Sequence, residues 1–206
     1  IMDLKKAIIA EKPVTIVPEE APVRESQSNG EVENANQAIQ RKTRTVRLGV
    51  EAKYKIKLMR NSLIVPWMIR YAAEMITKMA VGKDGRTAWE RMKGKKFKGE
   101  LVEFAETIWY MKPGMKGRAK FEPRWETGIR LGTRQESGEI IVGTSEGVIK
   151  VRSIRRKGIE SERWDKEVFE AMVGTPWQPI PGIESEEIQP NINITPAQEE
   201  PARIPK

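Results

Sequence analysis

The stretch R-E-S-Q-S-N-G-E-V-E-N-A-N-Q-A-I-Q-R-K-T-R-T-V-R-L-G-V, residues 24–50, decides how the rest of the chain is read. Val32, Ala35, Ile39, Thr43, Val46 and Val50 recur at steps of three and four, the spacing of one continuous helix face. Ser28 and Glu31 match the capping-box pattern: Ser28 would cap the helix, and Glu31 would fold back onto the Ser28 N–H. Glu33 comes two residues later, roughly 200° around the helix from Glu31. Asn36, Gln37, Gln40 and Arg41 share its face, and Arg44 follows. Two readings of Glu33 stay open. It complements the positive end of the helix dipole, or it is a metal-ligating carboxylate. In the second reading the amides behind it would hydrogen-bond nucleic acid, and Arg41, Lys42, Arg44 and Arg47 would contact phosphates.

Composition narrows the chemistry. The 206 residues include no cysteine and no histidine. Disulfides, thiolate nucleophiles, serine–histidine triads and ordinary zinc sites are therefore excluded. Any metal would be held by carboxylates, which favours Mg²⁺ or Mn²⁺. No apolar stretch approaches the length of a membrane span, so no membrane partner is expected. The net charge of +8 is unevenly spread. Residues 31–99 carry 17 Lys/Arg against 6 Asp/Glu, net +11, and residues 100–157 carry 12 against 8, net +4. Residues 158–206 carry 4 against 10, net −6. A basic body suggests a polyanionic partner, most simply nucleic acid; otherwise it is a solvated surface.

The texture of the chain changes near Gly94. Before it, residues 1–12 read as a short amphipathic helix and V-T-I-V (14–17) as a strand. L-I-V-P-W-M-I-R-Y-A-A-E-M-I-T-K-M-A (63–80) reads as a buried helix, with Pro66 in its first turn and Trp67, Met68, Tyr71, Met75 and Met79 in the core. T-A-W-E-R-M-K reads as a short helix capped by Thr87 with Glu90 three residues on. After Gly94 the pattern alternates in the strand manner, with turns at K-P-G, Q-E-S-G and S-E-G. About 58 residues of this kind suggest a small barrel. Trp109 and Trp125 are expected to pack inside it. Arg152, Arg155 and Arg156 end its last strand, where they either touch DNA or are solvated; the same choice applies to Lys93, Lys95, Lys96 and Lys98. W-D-K-E-V-F-E-A-M reads as one more helix, and the chain from Gly174 as a disordered acidic, proline-rich tail.

The segment E-S-Q-S-N-G-E-V-E-N-A-N-Q-A-I resembles the last acidic motif of retroviral and copia-type retrotransposon integrases, P/S-Q-x-N-G-x-x-E-x-x-N-x-x-I/L. Gln27, Asn29, Gly30, Glu33, Asn36 and Ile39 fall on it. G-K-D-G-R-T-A-W-E-R-M-K-G-K-K resembles the segment that follows the core in that family, and W-E-T-G-I-R-L-G through G-V-I-K-V-R-S-I-R-R resembles its SH3-like barrel. The resemblance spans about residues 1–157.

It implies an α/β fold with the C-terminal portion of a ribonuclease-H-like core over residues 1–99, mostly helical here. An SH3-like β-barrel would follow over 100–157, and a linker and disordered tail over 158–206. It implies a polynucleotidyl transferase that processes 3′ ends and joins them to target DNA, in which Glu33 is the third carboxylate of an Asp, Asp, Glu set holding two Mg²⁺ or Mn²⁺ ions. Element ends and target DNA would be the partners, the parent protein would be a homo-oligomer, and its place would be nuclear, cytoplasmic or both. The two aspartates of that set have no match here. Asp3, the only aspartate upstream of Glu33, leaves a gap of 29 residues, short of the roughly 35 that the resemblance implies for the second aspartate, and lies inside a helical pattern. The chain is therefore expected to be an integrase fragment that is inactive alone, with metal bound only in the complete parent. A non-catalytic nucleic-acid-binding protein is the alternative, and an assembly module with a merely solubilising basic face is a third.

Overall fold

The computed structural model describes residues 30–99, 101–112, 123–135 and 137–183. The helix and strand expected over 1–17, Asp3, the Ser28 cap and the tail beyond 183 lie outside the described residues.

The opening stretch forms α1, Gly30–Tyr54, a helix of 25 residues. That makes it about 37 Å long at 1.5 Å per residue. Its apolar stripe is used unevenly. Val50 and Tyr54 are buried, Ile39, Thr43 and Val46 are half-buried, and Val32 remains 62% exposed. The C-terminal half is thus the part that folding holds. Glu51 locks the exit from α1. Its carboxylate accepts from the Leu58 N–H at 3.0 Å, from Arg47 Nε at 3.0 Å and from Lys57 Nζ at 3.3 Å. Arg47 also donates to the Leu58 carbonyl. These bonds hold the Glu51 carboxyl down to about 2, chiefly through the Leu58 N–H.

A short turn leads to α2, Ile64–Met79, with Pro66 in the first turn, where a missing N–H leaves no helical bond unmade. Trp67, Met68, Tyr71 and Met75 are buried as expected, while Met79 is 42% exposed because the helix ends there and turns outward. The short helix α3, Ala88–Lys93, carries the expected capping box. Thr87 Oγ1 accepts from the Glu90 N–H at 3.1 Å, and Glu90 Oε2 accepts from the Thr87 N–H at 2.8 Å. Gly94, at φ 68°, closes it.

Five strands follow: β1 Thr107–Met111, β2 Trp125–Thr133, β3 Ile140–Thr144, β4 Gly147–Val151 and β5 Ile154–Arg156. They form one antiparallel sheet in the order β4-β3-β2-β1-β5. The sheet is open, with β4 and β5 at its edges. The run 102–111 alternates in the strand manner, but only its second half forms a strand. Ala105 adopts φ 63°, a left-handed conformation that breaks the extended run. Ala105 is held there by its N–H to the Arg130 carbonyl and by its own carbonyl, which accepts from the Tyr54 hydroxyl at 2.7 Å.

One core joins the helices to the sheet. Val50, Tyr54, Trp67, Met68, Tyr71 and Met75 meet Phe104, Ile129, Leu131 and Ile141 in a single cluster. The other face of the sheet has its own smaller cluster of Val102, Ile108, Tyr110, Val142 and Val151. The change of texture near Gly94 therefore divides the sequence pattern and not the core. The molecule is mixed α/β, as expected.

Part of the segment read as linker and tail is folded. Asp165 caps α4, Lys166–Ala171, and Phe169 and Met172 enter the main core. Trp67 Nε1 donates to the Gly174 carbonyl at 3.0 Å, and the Val148 N–H donates to the Pro179 carbonyl at 2.8 Å. Gly174 can make this close return because its φ is +95° and it lacks a Cβ, which would lie 2.2 Å from the Pro179 oxygen. The prolines and acids of this region concealed a strap laid along β4.

Candidate nucleic-acid interface

Glu33 stands in the first turn of α1 with its side chain in water. Asn36, Gln37, Gln40, Arg41 and Arg44 are all exposed along the same helix. Arg41 NH2 donates to Gln37 Oε1 at 3.3 Å, an exposed pair that screens easily. Asn36, Gln40 and Arg44 line a shallow groove together with Ile39, Thr43 and Ile69 of α2. The six residues singled out from the sequence thus form one continuous accessible row. Arg47 leaves that row. It is engaged by Glu51 and the Leu58 carbonyl, so the expectation that it contacts phosphate is corrected: its charge is used in closing α1 onto α2.

The row is suited to a polyanion. An acidic first turn is followed by amides that can donate or accept, and then by Arg41, Lys42 and Arg44, all exposed and within one turn. It is not a metal centre as described. Among the described residues no group of three carboxylate, histidine or cysteine side chains could hold a metal ion. Glu33 alone supplies one ligand, so the described residues do not fit a two-metal site, and no chemical step is derived from it.

The sheet holds a second basic region. Trp109 on β1 is 39% exposed rather than packed inside, because it shares a sheet face with Met111, Trp125 and Arg155, beyond the reach of the helices. The guanidinium of Arg155 lies 4.7 Å from the Trp125 ring centre, and Lys157 Nζ lies 5.1 Å from that of Trp109. Arg152 is largely exposed, with Glu139 3.9 Å away. Arg156 differs from its neighbours. It grips the fully buried Glu106 with two bonds of 2.7 and 2.8 Å, an internal role.

Sequence reasoning missed the buried charges. Glu74 and Lys78 face each other on α2 at 2.6 Å, with side chains 4% and 3% exposed. Glu74 Oε2 also accepts from the Thr133 N–H at 2.8 Å, and Arg130 NH2 lies 3.9 Å from its other oxygen. Lys78 Nζ sits 4.4 Å from the Phe97 ring centre. The one signal was an acid and a base four apart on an otherwise apolar helix. This network ties α2 to the shift of register between Arg130 and Gly132 on β2.

No protein-family model matches this chain, and neither curated proteins nor solved structures give a match. Among the described residues no helix is long and apolar enough to cross a membrane.

Proposed function

We propose that this chain is the DNA-holding C-terminal part of a copia-type integrase, a polynucleotidyl transferase of DNA integration. The observation that carries the reading is the row from Glu33 to Arg44. The motif's glutamate is exposed in a helical first turn, and the polar and cationic residues behind it are all free to meet a duplex. Two further features support it. The meander of four strands with β5 returning to β1 is the order expected of an SH3-like module. Arg152 and Arg155 remain exposed at the end of that sheet. In this reading Glu33 would join Mg²⁺ or Mn²⁺ only with two further carboxylates. DNA is the partner, and self-association belongs to the complete parent in the nucleus or cytoplasm.

Duplex binding, followed by fluorescence anisotropy across a salt series, tests the DNA-holding role. Binding that weakens steeply with salt supports it, and no binding at low salt defeats it. The catalytic part is tested by Glu33→Gln in the parent protein: strand transfer should be lost while duplex affinity stays.

A second reading is a DNA-binding protein without catalysis. It is favoured by the absence of partner carboxylates for Glu33 among the described residues. Duplex affinity that ignores added Mg²⁺ and survives Glu33→Gln, with no strand transfer by the parent, would select it.

A further inference from the structure

We infer that the outer end of the β1-β2-β5 face is a stacking platform for unpaired bases of single-stranded nucleic acid. The site is separate from α1, and the inference stands whether or not α1 binds duplex.

Its parts come from three strands. Register places Met111 opposite Trp125, and Trp109 opposite both Thr127 on β2 and Arg155 on β5. All five side chains therefore share one face of the sheet. Trp109 and Trp125 are diagonal neighbours, about 7–8 Å apart by the geometry of antiparallel pairs. Adjacent bases of an extended strand can reach both. Burial decides against a purely internal role. Trp109 and Met111 are 39% and 38% exposed, although Ile108 and Tyr110 on the same strand are buried in the opposite face. An indole and a thioether part-exposed side by side leave apolar surface open to a ligand.

Charge selects the occupant. Arg155 is exposed beside Trp125, while Lys157, only 9% exposed, packs against Trp109 and orients its ring. Arg152 adds a mostly solvated charge on the connection into β5. Lys112, just after β1, and the exposed Arg124, just before β2, add further charges at this end of the sheet. Glu126 lies on the opposite face of the sheet, opposite Tyr110, whose hydroxyl it accepts at 2.7 Å, with Lys112 3.6 Å away. An apolar protein partner would not call for this excess of cations, and an acidic peptide would not call for two accessible indoles. Bases with a phosphate backbone satisfy both. A base stacks on an exposed ring, and its phosphate meets Arg155 or Arg152, both exposed. Paired bases cannot present their faces in this way, so the ligand is a single strand.

The test uses the full chain and three probes of equal length: an oligothymidylate, an abasic oligomer with the same backbone, and a blunt duplex. Anisotropy should give an affinity for the oligothymidylate at least about ten-fold above that for the abasic strand, given the usual worth of base–aromatic stacking. Trp109→Ala should lower oligothymidylate affinity about ten-fold and leave the abasic strand and the duplex within about two-fold. Trp109→Tyr should restore most of the loss. Should Trp109→Ala change the circular dichroism, Trp109→Leu against Trp109→Tyr decides, since both fill the position and only one stacks. Arg41→Ala with Arg44→Ala should lower duplex affinity without changing the thymidylate-to-abasic ratio, which separates this platform from the α1 row. Equal affinity for the thymidylate and abasic strands overturns the inference. So do equal affinities of Trp109→Leu and Trp109→Tyr for thymidylate, or binding to none of the probes.

Discussion

Replacing Arg41 and Arg44 together by alanine should change how duplex binding responds to salt, more than it changes binding at any one salt concentration. Both side chains are exposed on α1, and neither holds the fold. Arg41 has only the long exposed bond to Gln37, and Arg44 lines the open groove beside Ile69. Three residues of helix rise separate them by about 4.5 Å, so they can reach two neighbouring phosphates. Each neutralised phosphate adds about 0.9 to the slope of log affinity against log salt, so removing both should flatten the slope by about 1.8. Between 50 and 200 mM salt, a four-fold change, the ratio of wild-type to variant affinity should then shrink by about 12-fold. Arg47 provides the internal control. It lies on the same helix, but its guanidinium is held by Glu51 and the Leu58 carbonyl. Arg47→Ala should lower the melting temperature and leave the salt slope alone. Anisotropy titrations at four salt concentrations measure both. Parallel salt slopes for wild type and the double variant would refute the assignment of these two arginines to phosphates. A slope change from Arg47→Ala would refute the division of roles along the helix.

Three further outcomes follow from the packing. Glu74→Gln should cost about 3–5 kcal/mol in urea unfolding, because it leaves Lys78 buried without an anion. Gly174→Ala should cost about 1–3 kcal/mol, since φ +95° is strained for any side chain and the new Cβ would meet the Pro179 carbonyl; an unchanged unfolding midpoint would mean that the strap does not contribute. Acid should weaken the exit from α1. The Glu51 carboxyl is held to about 2 when folded against an ordinary 4.5, so its contribution is whole above pH 4.5 and is lost as pH falls toward 2. Thermal melts of wild type and Glu51→Gln should therefore differ at pH 7 and converge near pH 2.

The parts of this fold that were legible are those where a local rule and the tertiary context agree. The stripe from Val32 to Val50, the Thr87–Glu90 box and the S-E-G hairpin between β3 and β4 each carry their own short-range signal. The parts that were not legible depend on contacts distant in sequence. Nothing near Trp109 says where along this face of β1 the helices stop, so a tryptophan two residues from the buried Thr107 reads as core until the helices are placed over the sheet. Nothing near Gly174 says that Trp67, more than a hundred residues earlier, waits for its carbonyl. Proline and acid content argued for a tail because composition averages over residues, whereas the strap is held by two backbone carbonyls and one glycine. The row from Glu33 to Arg44 was legible because helix periodicity alone fixes which side chains lie together.

Exposure then sorts the cations of α1 in a way that periodicity could not. Arg41, Lys42, Arg44 and Arg47 look alike in sequence, and all sit on one rigid element. The main core begins to bury the helix at Val46 and Val50, and Glu51 supplies an acid one turn beyond Arg47. An arginine at 47 can therefore satisfy a carboxylate and a carbonyl without leaving the fold. One at 44 or 41 has no carboxylate within a helical turn, and its charge faces solvent. The boundary between residues that stabilise the chain and residues available to a partner thus falls within a single turn, between Arg44 and Arg47. The same logic explains why the apolar stripe fades toward Val32. The N-terminal half of α1 is presented by the fold without being held by it, and there a glutamate can face a ligand instead of a neighbour.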